Sequence, residues 1–287
     1  MKIAIIGAGL MGGAVARKLK ENSFDVIAYN RTKAKAAYLS DFGIELVDHP
    51  LDAINKSEVI ILFLSDAEAI QSVVMKENIL QALKNKTVIQ MGTILPEESK
   101  SFFKIFTENE TEYFEAPVLG SIPQILSGNL IVMLGGTTEQ KEKYYNLFSA
   151  FSKDIIFIGE IGKAAALKLA LNNLIASHIT AFSLSLGILT RENIEIETFM
   201  NILRKSALYA PTFDSKLPLM TKRDFSKANF PTKHLLKDVK LIEKFSSEKG
   251  LNTTYLNAIK SIIEDAIKNG CSEEDYSSIY KSILKQF

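Results

Sequence analysis

Lys2-Ile-Ala-Ile-Ile6 runs without a break into Gly7-Ala8-Gly9-Leu10-Met11-Gly12, and an apolar helical stretch follows. The first five residues read as a buried strand, being short, apolar, rich in β-branched side chains and bounded by glycine. Strand, glycine turn and helix, in that order, form the context in which a G-x-G-x-x-G motif binds a dinucleotide. Each glycine has its own task there. Gly7 allows the tight turn, Gly9 lets the backbone approach the pyrophosphate, and Gly12 lets helix pack on strand. The pyrophosphate then rests on the helix N-terminus, where free amides and the dipole favour an anion.

Further along, residues 26–29 read as a second strand, about 20 residues past the glycines. A unit built for NAD usually ends this strand in Asp or Glu, which holds the ribose 2′-hydroxyl. Here the chain continues Asn30-Arg31-Thr32. A carboxylate would repel a 2′-phosphate, whereas a guanidinium fork receives one. The residues therefore favour NADP, with NAD still possible. The plain alternative is a turn in which Thr32 caps the next helix.

Strand and helix patterns alternate through the first half. Further strands are expected at 59–64, 87–91, 113–116, 130–134 and 155–157, and helices at 11–21, 33–41, 67–74 and 97–108. Several strands are near-continuously apolar, as in a parallel sheet covered on both faces. Right-handed crossovers make this an α/β fold with a Rossmann-type, doubly wound sheet. The pattern changes near Gly159. A long, mostly apolar helix is expected from Gly162 to about Arg191, interrupted by Lys168, Asn172, Asn173, Ser177 and His178. Those polar positions suit a core helix better than a membrane span. Only helical spacing follows, at 197–205, 233–249, 254–269 and 273–286, with Gly250 and Gly270 as stop signals. The expected organisation is a dinucleotide-binding domain at 1–160 and an all-α domain at 161–287, joined by the long helix. A substrate site is expected in the cleft between them.

Composition narrows the class. The 287 residues carry a net charge of +1, with 47% apolar and 23% charged residues. That is the profile of a soluble globular protein, with no basic field for nucleic acid. No uninterrupted apolar run is long enough to span a bilayer, and the chain opens on a strand rather than a targeting leader. Cys271 is the only cysteine, so no disulfide forms within the chain and no cysteine-based metal cluster is expected. His49, His178 and His234 show no ligand spacing, and no metal is expected. A cytoplasmic protein is the expectation.

Hydride chemistry also needs a proton donor and a grip on the substrate. Lys168 is the candidate donor, on an Ala- and Leu-rich helix with Asn172 one turn on. A lysine desolvated in such a place exchanges protons nearer neutrality. From spacing alone, a surface lysine with a solvated head is an equal reading.

The chain resembles the β-hydroxyacid dehydrogenase family, which includes 3-hydroxyisobutyrate dehydrogenases and glyoxylate/succinic semialdehyde reductases. The resemblance spans essentially the whole chain. It rests on Gly7-x-Gly9-Leu10-Met11-Gly12, Asn30-Arg31-Thr32, Glu115-Ala-Pro-Val-Leu-Gly120-Ser121, Gly162-x5-Lys168-x3-Asn172 and His234-Leu-Leu-Lys237-Asp238. It implies Lys168 as general acid and base, Asn172 as a substrate partner, and Gly120 and Ser121 as a carboxylate-binding loop. It also implies cofactor contacts from Leu10, Met11, Leu64, Ser65, Thr93 and Lys237, with Asp238 orienting Lys237. Leu119, Ser121 and Gly92 depart from the usual serine, glycine and serine. Leu119 points to a less polar pocket, which Tyr209 and Phe213 could line if they do not simply pack helices. The reading is an NADP(H)-dependent oxidoreductase acting on a small carboxylated aldehyde or 3-hydroxy acid. Its alternatives are an imine reductase on the same fold and a non-catalytic NADP-binding scaffold. Such family members are usually homodimers or homotetramers.

Overall fold

Residues 1–284 are described by the computed structural model of the chain. Nine strands form one sheet: β1 (Lys2–Ile6), β2 (Asp25–Tyr29), β3 (Glu45–Val47), β4 (Val59–Leu62), β5 (Thr87–Gln90), β6 (Glu112–Glu115), β7 (Val118–Leu119), β8 (Ile131–Gly135) and β9 (Asp154–Gly159). Around them lie α1 (Leu10–Glu21), α2 (Pro50–Asn55), α3 (Ala67–Val74), α4 (Glu77–Leu83), α5 (Pro96–Glu108), α6 (Ile122–Leu126), α7 (Thr138–Lys143), α8 (Tyr145–Ser149) and a 3₁₀ segment at Lys33–Phe42.

Alternation along the strands sets the layers. Ile3 and Ile5 of β1 enter one core with Ala28, Ile61 and Ile89, against Val15 and Leu19 of α1 and Phe148 and Phe151. Ala4 and Ile6 enter the other, with Ile60, Leu62 and Val88, against Ile70, Leu83, Phe102 and Phe106. A strand buried on both sides must be apolar throughout, which is why β1 and β4 show no polar alternation.

The strand order is β3-β2-β1-β4-β5-β6-β8-β7, with β9 on β8. All pairs from β3 to β6 are parallel, and the order reverses between β1 and β4. Ligands of such sheets bind outside the carboxyl ends of the strands at this reversal. The parallel arrangement expected from the sequence holds from β3 to β6. β8 lies antiparallel to β6 and β7, and β9 is parallel to β8. The chain turns back through β7 and the short α6 instead of making a full crossover, and antiparallel strands need no longer connection.

The second half holds α9 (Lys163–Arg191), α10 (Ile196–Leu203), α11 (Pro211–Lys222), α12 (Thr232–Glu248), α13 (Thr254–Ala266) and α14 (Tyr280–Ile283). By length and apolar composition α9 would pass for a membrane span, a test that core helices of soluble proteins also pass. Asn172 and Ser183 are buried within it, while Leu174, Leu184 and Ile188 stay exposed on one face. The last helix expected, 273–286, is a 3₁₀ turn at Tyr276–Ile279 followed by α14, and residues 285 and 286 lie outside the described residues. The buried Asp275 interrupts it. Its carboxylate accepts from Ser277 and forms an ion pair with Lys216 at 2.8 Å.

The chain divides into compact units at Met1–Lys168 and Leu169–Phe287, eight residues beyond the boundary expected at 160. The first turn of α9 stays with the first unit because the amides of Gly162, Ala164 and Ala165 donate to Glu115 of β6.

Candidate active site

Gly7 closes β1 with φ +97, and its amide donates to Tyr29 O at 2.9 Å. A Cβ on Gly7 would lie 2.4 Å from Phe63 O, and one on Gly12 would lie 2.3 Å from Gly7 O. Neither position admits a side chain, whatever the ligand. Gly9 differs, because a Cβ there would meet no atom of the protein within 4 Å. Open space over this glycine, at the start of a twelve-residue helix with no side-chain cap, is the room a pyrophosphate needs. The residues present therefore fit a dinucleotide. Leu10 is exposed in the first turn, and Met11 packs against the core.

The loops after β1, β4 and β5 crowd together at the carboxyl edge of the sheet. Leu64 follows β4, and its Cδ2 lies 3.2 Å from where a Gly7 Cβ would be. A Cβ on Gly92, after β5, would lie 2.5 Å from Leu64 O, which explains the glycine before Thr93. The Ser65 hydroxyl donates to Asp66, whose carboxylate caps α3. At the end of β2 the Asn30 side-chain amide donates to Thr32 O at 2.8 Å, and Arg31 is exposed. Thr32 precedes the 3₁₀ segment without using its side chain as a cap. The plain turn-and-cap reading thus loses its cap.

The loop after β7 is preorganised. Gly120 has φ +131, and a Cβ there would meet Leu130 at 2.8 Å. The Ser121 amide and hydroxyl both donate to Gln124 Oε1, at 3.0 and 2.7 Å. Two donors thus converge on one oxygen, the arrangement a carboxylate oxygen would take up.

Lys168 is half-buried on α9, and Asn172, one turn on, is buried. The Asn172 side-chain amide donates to Asp238 Oδ2 at 2.7 Å. Lys237 Nζ stands 2.6 Å from Asp238 Oδ1, a charge contact off hydrogen-bond alignment. Asn172 Oδ1 is buried without a hydrogen-bond partner. Burial pushes the His234 imidazole below its ordinary pKa, and the charges of Lys237 and Lys233 push it further.

Phe213 and Tyr209 each have a partner within this half. Phe213 is buried and stacks on Phe182 with ring centroids 4.6 Å apart, with His178 at its edge. The Tyr209 hydroxyl donates to Asp214, which in turn binds Arg204. Phe213 thus packs helix on helix, while Tyr209, in the loop before α11, is held by a hydrogen bond. The role of Asp238 toward Asn172 and that of Glu115 toward α9 were not read from the sequence. They join residues 66 and up to 50 positions apart, a distance over which sequence spacing is silent.

Comparison with known proteins gives the family. Residues 2–159 match the family model of the NAD binding domain of 6-phosphogluconate dehydrogenase, and residues 162–283 that described as NAD-binding of NADP-dependent 3-hydroxyisobutyrate dehydrogenase. The chain is 29% identical to glyoxylate/succinic semialdehyde reductase 1 of Arabidopsis thaliana, over 99% of this chain and 98% of that one. It is 30% identical to an uncharacterized oxidoreductase of Bacillus subtilis, over 99% of this chain and 100% of that one. The crystal structure of a 3-hydroxyisobutyrate dehydrogenase from Salmonella typhimurium superposes with a TM-score of 0.88 at 16% identity, covering 98% of this chain and 99% of that one, a likeness of fold.

Proposed function

The chain belongs to the NAD(P)-dependent β-hydroxyacid dehydrogenase family, and from that premise we propose that it reduces a small carboxylated aldehyde with NADPH, and in reverse oxidises a 3-hydroxy acid, with Lys168 as general acid and base. The observation that carries this reading is Lys168, half-buried one turn before the buried Asn172 on α9, in a chain whose glycine turn fits a dinucleotide.

A bound reduced nicotinamide supplies the hydride. The Lys168 ammonium donates to the substrate carbonyl oxygen and gives up its proton as negative charge builds there. In the oxidative direction the neutral amine takes the hydroxyl proton. Asn172 Oδ1, fixed as an acceptor, holds an N–H or O–H in line. The Ser121 amide and hydroxyl receive a substrate carboxylate in exchange for Gln124 Oε1, oxygen for oxygen. Arg31 favours the 2′-phosphate of NADP. A second copy of the chain is the partner we propose for the exposed Leu174, Leu184 and Ile188 of α9, since one apolar helix face meets its own copy across a two-fold axis.

Initial rates with NADPH and NADH against succinic semialdehyde, glyoxylate, methylmalonate semialdehyde and one cyclic imine test the reading. Turnover of an acid aldehyde, lost by about 100-fold or more in Lys168→Ala with NADPH binding intact, is the expected result. Near wild-type turnover in Lys168→Ala removes the lysine from the chemistry. Turnover of the imine alone makes the protein an imine reductase, and tight NADPH binding without turnover makes it a scaffold.

A further inference from the structure

Glu115 opens the motif whose glycine and serine form the candidate carboxylate loop, yet it takes no part in that loop. It ends β6, is 1% exposed, and turns its carboxylate onto the first turn of α9. Oε1 accepts from the amides of Gly162, Ala164 and Ala165 at 2.8, 2.9 and 3.1 Å. Oε2 accepts from the buried Ser99 hydroxyl of α5, which lies 2.9 Å from the Tyr113 hydroxyl. The first amides of a helix have no partners within it, and a Ser, Thr or Asp at the cap position usually serves them. Here that position is Gly162, with φ +95 and no side chain. A carboxylate reaches in from a strand 47 positions away to replace it.

This arrangement is costly. Burial raises the Glu115 pKa despite the hydrogen bonds that favour its charge. Space for it is made at Gly135 of β8, where a Cβ would lie 2.5 Å from Oε1. A local cap would stabilise the helix at less desolvation. What a local cap cannot do is fix the distance from the end of β6 to the helix start. Lys168 stands five residues beyond Lys163, the first residue of α9, roughly 7.5 Å along its axis. Any slip of the first turn is carried to it almost rigidly.

We propose that Glu115 is a positioning residue: through the first turn of α9 it sets the place of the Lys168 ammonium, and its reach, more than its charge, is what proton delivery depends on. The inference rests on Lys168 being the proton donor.

Two substitutions separate reach from charge. Glu115→Asp keeps the charge and withdraws the acceptor by one methylene. Glu115→Gln keeps the length, its oxygen serving the three amides and its nitrogen facing Ser99. The readouts are kcat and KM for the acid aldehydes, with the Kd for NADPH, on the full chain. Glu115→Asp is expected to lower kcat by about 10- to 100-fold, with KM and Kd little changed, and Glu115→Gln to recover most of that loss. If Glu115→Asp does not fold, Ser99→Ala frees Oε2 and is expected to give a smaller loss of kcat alone. Wild-type kcat in Glu115→Asp overturns the proposal, or in Ser99→Ala where that stands in for it. A loss as deep in Glu115→Gln, or a loss matched by weaker NADPH binding, does the same. Lys168→Ala run alongside keeps the two readings apart. If it is inactive while Glu115→Asp is normal, only the positioning fails. If it turns over normally, or if the wild type turns over no acid aldehyde, the functional reading fails and takes this inference with it.

Discussion

Asn172 donates its side-chain amide to Asp238 at 2.7 Å, both groups buried, and so its carbonyl oxygen is turned away from the carboxylate and left without a partner. A carboxylate only accepts, so this single bond decides which end of Asn172 is presented. Asp238→Asn replaces a pure acceptor by a group that can also donate, and the Asn172 amide loses its reason to face one way. The expected result is a drop in kcat/KM of about 10-fold or more. The double variant with Asn172→Ala should be no worse than Asn172→Ala alone, because the two residues act as one unit. Additive losses would show that Asp238 works independently, through Lys237 for instance.

The three glycines of the turn differ in what makes them necessary. Gly12→Ala forces a Cβ to 2.3 Å from Gly7 O and should lower Tm as well as cofactor affinity. Gly9→Ala meets no atom of the protein, and φ −78 lies outside the left-handed region. It should therefore fold with unchanged Tm and bind NADPH about 10-fold or more weakly, a loss of roughly 1.4 kcal/mol. Thermal unfolding and titration of the same preparation check both halves. Unchanged affinity would remove the pyrophosphate from above this glycine, and a fall in Tm would mean that the backbone itself requires it.

Arg31 is exposed beside a turn that Asn30 closes without its help. Removing it should therefore leave the fold alone and act on the cofactor. Charge-assisted hydrogen bonds to a 2′-phosphate are worth about 1.5–3 kcal/mol, so Arg31→Ala should cost NADPH about 10- to 100-fold in KM and NADH almost nothing. Equal losses for the two cofactors would mean that Arg31 does not discriminate between them.

The parts of this molecule that were legible in its sequence are those set by local pattern. Lys2–Ile6 could be read because both its faces are buried, and the glycine turn because its chemistry lies within six residues. β3, three residues long, and β7, two, are too short to show a period. α11 was hidden by Pro218, which takes a donor out of the helix yet is tolerated within it. At the candidate site, Lys168 and Asn172 could be paired because a helix brings i and i+4 to one face. Their supports could not, since Asp238 and Glu115 arrive from other elements and only folding makes them neighbours.

Glu115 should leave a mark on the pH dependence of stability. Burial holds its carboxyl above the ordinary value of 4.5, against the opposing pull of Ser99 and three amides. A native pKa above the unfolded one means that the folded state binds more protons in the window between them. Stability from this group is full below the unfolded pKa and is lost as pH rises through the folded pKa. Glu115→Gln has no proton to lose and lacks that slope. The unfolding free energy of Glu115→Gln relative to wild type should therefore climb from about pH 4 upward and level off above the folded pKa. Urea denaturation of both proteins across that range reads it directly. A difference that stays flat, or that turns against the variant as pH rises, would mean that the hydrogen bonds from α9 and Ser99 outweigh desolvation and that the carboxylate is held in its charged form at no cost to the fold.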